Sequence, residues 1–456
     1  MRSLRRSAPV EKPVALAIAG SDSGGGAGIQ ADVKTMEAFG AFATTAITNV
    51  TAQNTRGVSS SHAIPVGEIE AQLDAVFDDM DVRAVKTGML GTRDIVETVT
   101  EYLSGRAVPL VVDPVMVAAS GDRLLEPAAE EAYERLIDTA TVVTPNVDEV
   151  GVLTGTEPDT ETAARASGQR IVEDGANAAL VKGGHMSGDR VIDVLVTRED
   201  EFVFDHPRIE TDATHGSGCT LSSAIAARLA HGDSLVDAVQ TGVEFMKRAL
   251  RYPHDVGSGP GAVHHLAEIR ELAARSTTVD AVESVVDDLV EMNARPLVPE
   301  VGTNVVGATP YAETPAETAA VEGRITRLTN GIRPNRGVAF GASSHVARFL
   351  LAAREHDPAL RFAANLRFDD DVESALSVLD PAIEIDRSVE PRPDEEGATM
   401  HWTARTAFER AEETPAAVFD RGDVGKEAMT RVLASDPEAL SERIRSLLAV
   451  LQDETA

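Results

Sequence analysis

Residues 211–220 read TDATHGSGCT, and Cys219 is the only cysteine among 456 residues. Gly216 and Gly218 stand just before it, and Leu221, Ile225 and Leu229 recur at every fourth position after it. That spacing marks a helix with one buried face, so the stretch reads as a glycine loop opening a helix. Two readings of the cysteine are open. Free cysteine is among the most buried residue types and packs as a small hydrophobe. Alternatively, the glycines let backbone N–H groups face a phosphate, with the positive helix end behind them. The same field would lower the thiol pKa.

Working outward, short apolar runs (VALAIAG at 14–20, AVKTGML at 84–90, PLVVDPV at 109–115, TVVTPN at 141–146, AALVKGG at 178–184) alternate with helical segments such as IVETVTEYL at 95–103. Such alternation predicts parallel strands with crossover helices, an α/β layer fold. Residues 194–211, VLVTREDEFVFDHPRIET, break the rhythm and predict antiparallel strands. The Gly- and Pro-rich RYPHDVGSGPGAVHH at 251–265 closes this unit. A helical stretch with a boundary near Ser276 follows, and from about Val279 a second, mixed helix-and-strand unit runs to the end. Residues 1–12 read as a loose tail: the paired arginines suggest an export signal, but the apolar run behind them is too short for one.

The net charge of −32 argues against nucleic-acid or anionic-membrane partners. Only six lysines stand against 36 arginines. With abundant acids, that balance points to a halophile's cytoplasm, where salt screens carboxylate repulsion. A lone cysteine excludes internal disulfides and fits a reducing, cytoplasmic compartment. No run reaches the ~18 apolar residues of a membrane span.

Two further glycine stretches, AGSDSGGGAGIQADVKT at 19–35 and VKGGH at 181–185, are phosphate-loop candidates or plain tight turns. The first is neither a Walker loop nor a dinucleotide fingerprint. Together with TAQNT, KTGML, DPVM, TPNVDE and THGSGCTLSSAIAA, in order and spacing, they resemble the hydroxymethylpyrimidine/phosphomethylpyrimidine kinases of the ribokinase-like superfamily. The resemblance covers residues 13–268. It implies an αβα sandwich that uses ATP and Mg²⁺ to phosphorylate 4-amino-5-hydroxymethyl-2-methylpyrimidine and then its monophosphate. Cys219 takes the position of the catalytic base. Gly20, Asp32, Gln53 and Met89 match the pyrimidine pocket. Asn146, Lys182, Gly216, Ser217 and Gly218 match the ATP and phosphate contacts, and Asp113 and Glu149 the Mg²⁺ contacts, direct or through water. Asp113 also reads as a strand-end cap before Pro114. Lys34 and Lys86 are expected to be packing lysines. Pyridoxal kinases share the superfamily, so pyridoxal is a competing alcohol.

In the second unit, residues 324–348 carry five arginines, one histidine and no acid. In so acidic a chain this inversion suits phosphate oxygens, or else surface pairs with distant carboxylates. Segments MNARPLVPEVGTNVV, AAVEGRI, AFGASSHVARFLLAAR, RFAANLRFDDDVESAL and VFDRGDVGKEAMTRVL resemble the archaeal ThiN-type thiamine-phosphate synthase domain. The expected organisation is a linker or helix at 269–280, then this smaller, aldolase-like α/β domain at 281–456. The resemblance implies coupling of the pyrimidine diphosphate with hydroxyethylthiazole phosphate to give thiamine phosphate and pyrophosphate. Arg324 and His345 match its functional pair, with Asp423 and Lys426 as secondary candidates. The alternative is a kinase whose second unit only senses thiamine phosphate. Partners are expected to be small molecules and further copies of the chain, as a homodimer or higher homo-oligomer.

Overall fold

The computed structural model describes residues 10–116, 129–389, 398–422 and 427–453. The chain divides into two compact units, Met1–Glu268 and Ile269–Ala456. Ser276, expected near a boundary, lies inside a helix, Arg275–Glu291. Lys12, assigned to the loose tail, is ion-paired with Glu37 at 2.7 Å.

The first unit is built on one sheet in the order Glu201–Pro207, Arg190–Thr197, Ala178–Val181, Val142–Val143, Leu110–Val112, Val82–Thr87, Val14–Ala19, Phe42–Ile47. The six strands from Ala178–Val181 to Phe42–Ile47 are parallel, and the two nearest the other edge are antiparallel. Side chains alternate across a strand, and Val14–Ala19 shows the result. Leu16 and Ile18 join one apolar cluster with Leu73, Ile95 and Val99. Ala15 and Ala17 join the other with Ile225 and Val239. Both faces are covered by helices, as a parallel sheet requires.

The Ser217–His231 helix departs from the sequence expectation. Every residue from Thr220 to Ala227 is buried, not one stripe. Alanines at 224, 226 and 227 allow close approach to neighbours, and Thr220 and Ser222 return their hydroxyls to the Gly216 and Gly218 carbonyls. Burial on all sides fixes the helix start in space, and with it the glycine loop.

In the second unit the sheet order is Val338–Phe340, Thr318–Val321, Val305–Ala308, Phe362–Arg367, Met429–Ala434, Ala417–Asp420, Ala382–Ile385. All neighbours are antiparallel except the last two strands. Val282, Val285 and Leu289 of the Arg275–Glu291 helix pack on one face, and Val279, within the stretch expected to be a linker or helix, packs against the same cluster. Phe349 and Leu350 of the His345–Arg354 helix pack on the other. Among the described residues no helix is long and apolar enough to cross a membrane.

Candidate active site

A cavity of about 750 Å³ opens in the first unit, lined by residues of the glycine loops and of several strand ends. Its floor is the start of the Ser217–His231 helix. Gly216 caps that helix at φ 82°, where a side chain is strained, and a Cβ there would overlap the Gly26 carbonyl oxygen. The Ser217 N–H is spent on the Thr214 carbonyl. The amides of Gly218 and Cys219, inside the first turn, have no intrahelical acceptor and stay available for an anion. The cradle is therefore smaller than the motif suggested.

Cys219 lines the cavity and is half-buried. Burial pushes its thiol up to about 11, with Lys86 opposing and Asp32 and Asp113 reinforcing the rise. The expected lowering by the helix end is overturned, because desolvation and two carboxylates outweigh it. Iodoacetamide should therefore modify this single thiol slowly at pH 7.5. The rate should climb about tenfold per pH unit up to pH 10, because thiolate is the nucleophile. A plateau near pH 8 would contradict the raised value. Mass spectrometry of the intact chain reads the outcome.

Lys182 reaches the same floor. Its Nζ donates to Asp113 Oδ1 at 3.1 Å and lies 3.9 Å from Glu149 Oε2. A Cβ on Gly218 would be only 3.3 Å from that Nζ, so glycine is what lets the cation approach the cradle. Burial would discharge Lys182, but Asp113 and Glu149 outweigh it and hold its pKa above the ordinary value. Burial pushes Glu149 up to about 7, partly checked by Lys182. Asp113 also accepts from Thr144 Oγ1 and Ser222 Oγ. Asn146 and Glu149 form a reciprocal capping box at the Val147–Thr154 helix, so both line the cavity while serving as caps.

Gly20, Gln53 and Met89 line the same cavity. A Cβ on Gly20 would meet Met89 Sδ at 3.1 Å, so a larger residue would push into that wall. Asp32, expected with them, does not line the cavity. It is fully buried, bonded to Lys86 Nζ at 2.8 Å and to Ser223 Oγ at 2.7 Å. Its pyrimidine-contacting role is corrected to an internal ion pair, because a carboxylate so far from solvent needs a cation beside it. Lys86 is the packing lysine expected, and Lys34 braces the first glycine loop through the Gly25 carbonyl.

Sequence reasoning missed Asp22 and His215, which both line the cavity. The amides of Gly24, Gly26 and Ala27 all donate to the Asp22 carboxylate. The SDSGGGAG loop thus already holds an anion of its own, and its phosphate-cradle reading fails for those amides. The apolar end formed by Leu221, Val243, Met246, Leu250 and Val191 was also unreadable, because its residues come from separate elements.

In the second unit Arg324 is exposed and adopts φ 86° after Gly323 at φ 82°. A left-handed non-glycine residue costs about 1 kcal/mol, which marks the position as constrained. Its guanidinium donates to the Val301 carbonyl, and Arg327 donates to that of Val298. Carbonyls hold these two cations without cancelling their charge, whereas Arg336 is neutralised by Glu322. His345 is exposed at the start of the His345–Arg354 helix, with Nδ1 3.2 Å from Ser344 Oγ. Arg324 and His345 do not hydrogen-bond to each other. Asp423 and Lys426 lie outside the described residues.

Residues 22–264 match the family model described as phosphomethylpyrimidine kinase, and residues 281–446 match thiamine-phosphate synthase ThiN. A hydroxymethylpyrimidine/phosphomethylpyrimidine kinase of Streptomyces coelicolor is 48% identical over 56% of this chain and 96% of its own. The thiamine biosynthesis bifunctional protein ThiED of Geobacter sulfurreducens is 42% identical over 59% of this chain and 56% of its own. Among solved structures, an ADP complex of Bacillus subtilis pyridoxal kinase aligns with a TM-score of 0.54 and 34% identity, over 57% of this chain and 99% of that one. With a cavity that sets a helix-start amide cradle and a lysine beside an organic pocket, the chain belongs to the phosphomethylpyrimidine kinase family, and with its ThiN unit it combines two enzymes of thiamine biosynthesis.

Proposed function

We propose that the first unit phosphorylates the hydroxymethylpyrimidine alcohol and then its monophosphate, and that the second joins the resulting diphosphate to hydroxyethylthiazole phosphate. One observation carries the kinase half. One cavity is lined by Gly20, Gln53 and Met89, by Cys219 and by Lys182, with the apolar Val243, Met246 and Leu250 able to receive the adenine. Gln53 suits an aminopyrimidine edge because its amide both donates and accepts.

In each transfer the acceptor oxygen attacks the γ-phosphorus, the bond to the ADP oxygen breaks, and charge spreads over the transferring oxygens. The Gly218 and Cys219 amides and the Lys182 ammonium face that charge, and such stabilisation supplies most of the acceleration. The Cys219 thiol, protonated at neutral pH, must lose its own proton before it can accept one. Asp113 and Glu149 are two carboxylates sharing one lysine, an oxygen-donor set that fits a hydrated Mg²⁺ held mainly through phosphates and water. Mg²⁺ bound there neutralises phosphate charge.

In the second unit the methylene–oxygen bond of the pyrimidine diphosphate breaks, its electron pair leaves with pyrophosphate, and the thiazole nitrogen attacks the methylene carbon. Arg324 clamps the departing phosphates, and His345 donates a hydrogen bond or proton to them. The −32 charge supports operation at high salt, where carboxylates repel less.

A coupled assay of the full chain with hydroxymethylpyrimidine, ATP, Mg²⁺ and hydroxyethylthiazole phosphate tests both halves. Arg324→Ala and His345→Ala should each cut thiamine phosphate formation by about 100-fold or more, the scale of lost anion stabilisation. ADP release in the kinase steps should not change. Unaltered thiamine phosphate yield from both variants would move the synthase chemistry elsewhere; none from the intact chain would leave only a sensing role.

A further inference from the structure

Two of the glycine loops of the first unit, at 19–35 and 211–220, are joined by a contact that neither motif announces. Asp22 is 1% exposed. Its carboxylate accepts from the amides of Gly24, Gly26 and Ala27 at 2.8, 3.0 and 2.8 Å. The same Oδ2 that takes the Gly26 and Ala27 amides lies 3.0 Å from His215 Nε2. His215 immediately precedes Gly216, from which the amide cradle starts. The loops also touch directly: a Cβ on Gly26 would lie 2.6 Å from His215 Cδ2, and one on Gly216 would overlap the Gly26 carbonyl. No side chain fits in this seam; Asp22–His215 is a polar bond across it, and the Gly28 amide bonded to the Cys219 thiol is another. Burial would raise the Asp22 carboxyl, but His215 and the amides outweigh it and hold it below the usual range.

One loop belongs to the acceptor end of the cavity. Gly20, Ser21, Asp22, Ala27 and Gly28 line it beside Gln53 and Met89. The other loop carries the cradle for the transferring phosphoryl group. The distance between donor and acceptor is therefore set where these loops meet. We propose that Asp22 and His215 are positioning residues that keep the acceptor oxygen in line with the γ-phosphorus, so that breaking their bond uncouples ATP cleavage from pyrimidine phosphorylation. The inference rests on the kinase reading of this unit. A misplacement of about 1 Å costs a bound acceptor about 100-fold in rate. Water, which needs no fixed seat, loses far less.

The experiment measures ADP and phosphorylated pyrimidine together, in the full-length protein with hydroxymethylpyrimidine and Mg-ATP. In the wild type the two form one for one. His215→Leu should lower pyrimidine phosphorylation about 100-fold and ADP formation much less, so that ADP exceeds product by about tenfold or more. His215→Gln, whose amide N–H can still reach Asp22, should return the ratio towards one. Should the leucine variant lose its cooperative thermal transition, His215→Asn, too short for the contact, takes its place. Parallel loss of both products, an unchanged ratio, or a glutamine variant no better coupled than the leucine one would overturn the proposal. A wild type that forms no phosphorylated pyrimidine would strike the kinase reading instead.

Discussion

Lys182→Met should reduce the rate of pyrimidine phosphorylation by about 10²–10³-fold, the scale of losing one preorganised group aimed at developing charge. The variant should still fold. Methionine matches the apolar stem of lysine, and what it leaves behind is a pair of carboxylates, Asp113 and Glu149. Glu149 already titrates at about 7, and Lys182 is the main influence holding that value down. Without the cation its carboxyl takes up a proton, which is cheaper than keeping two buried charges side by side. The sign of the pH effect follows. A carboxyl whose pKa is raised on folding stabilises the fold fully below its unfolded value of 4.5, and the contribution is lost as pH rises through the folded value. Removing Lys182 moves that folded value upward, so the loss continues above pH 7. Thermal melts in EDTA should show a larger deficit against wild type at pH 8 than at pH 6. Equal deficits would mean that Glu149 does not feel the lysine. Retained kcat would mean that the lysine is only a partner for Asp113.

How much of this was legible beforehand depended on how local each feature was. The Gly216-to-Cys219 turn and the Asn146–Glu149 cap each lie within four residues, and the periodicity around them is visible in one dimension. Parallel strands announced themselves as short apolar runs because both of their faces are buried. Burial on every side from Thr220 to Ala227 was not readable, since alanine and serine give no hydrophobic stripe to follow. The thiol misled for a related reason. The helix field at Cys219 is a property of three neighbouring residues, whereas its desolvation comes from how deep the cavity floor lies.

Asp22 was hidden by its own context. An aspartate before a glycine run reads as a turn residue that bonds to its neighbours, and it does so through Gly24, Gly26 and Ala27. Nothing within the loop signals that a histidine 193 positions later shares the same oxygen. Asp32 failed in the opposite direction. The GIQADVK match placed it at the substrate, while its partner Lys86, 54 residues on, draws it into the interior. In the second unit the arginine-rich segment stood out by charge alone, but charge could not say that Arg324 and Arg327 rest on carbonyls while Arg336 is cancelled.

Lys86→Met should destabilise the first unit by about 3–5 kcal/mol, the measured scale for removing one partner of a buried pair. Lys86 and Asp32 are both 0% exposed and 2.8 Å apart; burial raises the Asp32 carboxyl and Lys86 opposes that rise, so each group leans on the other. Burial alone would discharge the lysine; the Asp32 carboxylate outweighs it and raises its pKa above the ordinary range. Once the lysine is gone, the Ser223 hydroxyl is the donor left to Oδ1 among the described residues, and Oδ2 has no hydrogen-bond partner among them. Asp32→Leu alone should be as harmful, since it strands an ammonium. Combining the two changes should recover much of the loss, because replacing both charges by packed apolar groups is commonly neutral or stabilising. Denaturant melts of the four proteins test this. A double variant no more stable than the singles would show that shape at this site, not charge pairing, is what the fold requires. Kinase turnover in the recovered double variant then separates two roles that sequence matching had merged. Near-normal turnover is expected if Asp32 only braces the helix start beneath Cys219. A folded but inactive double variant would return Asp32 to the substrate, against its place in the interior.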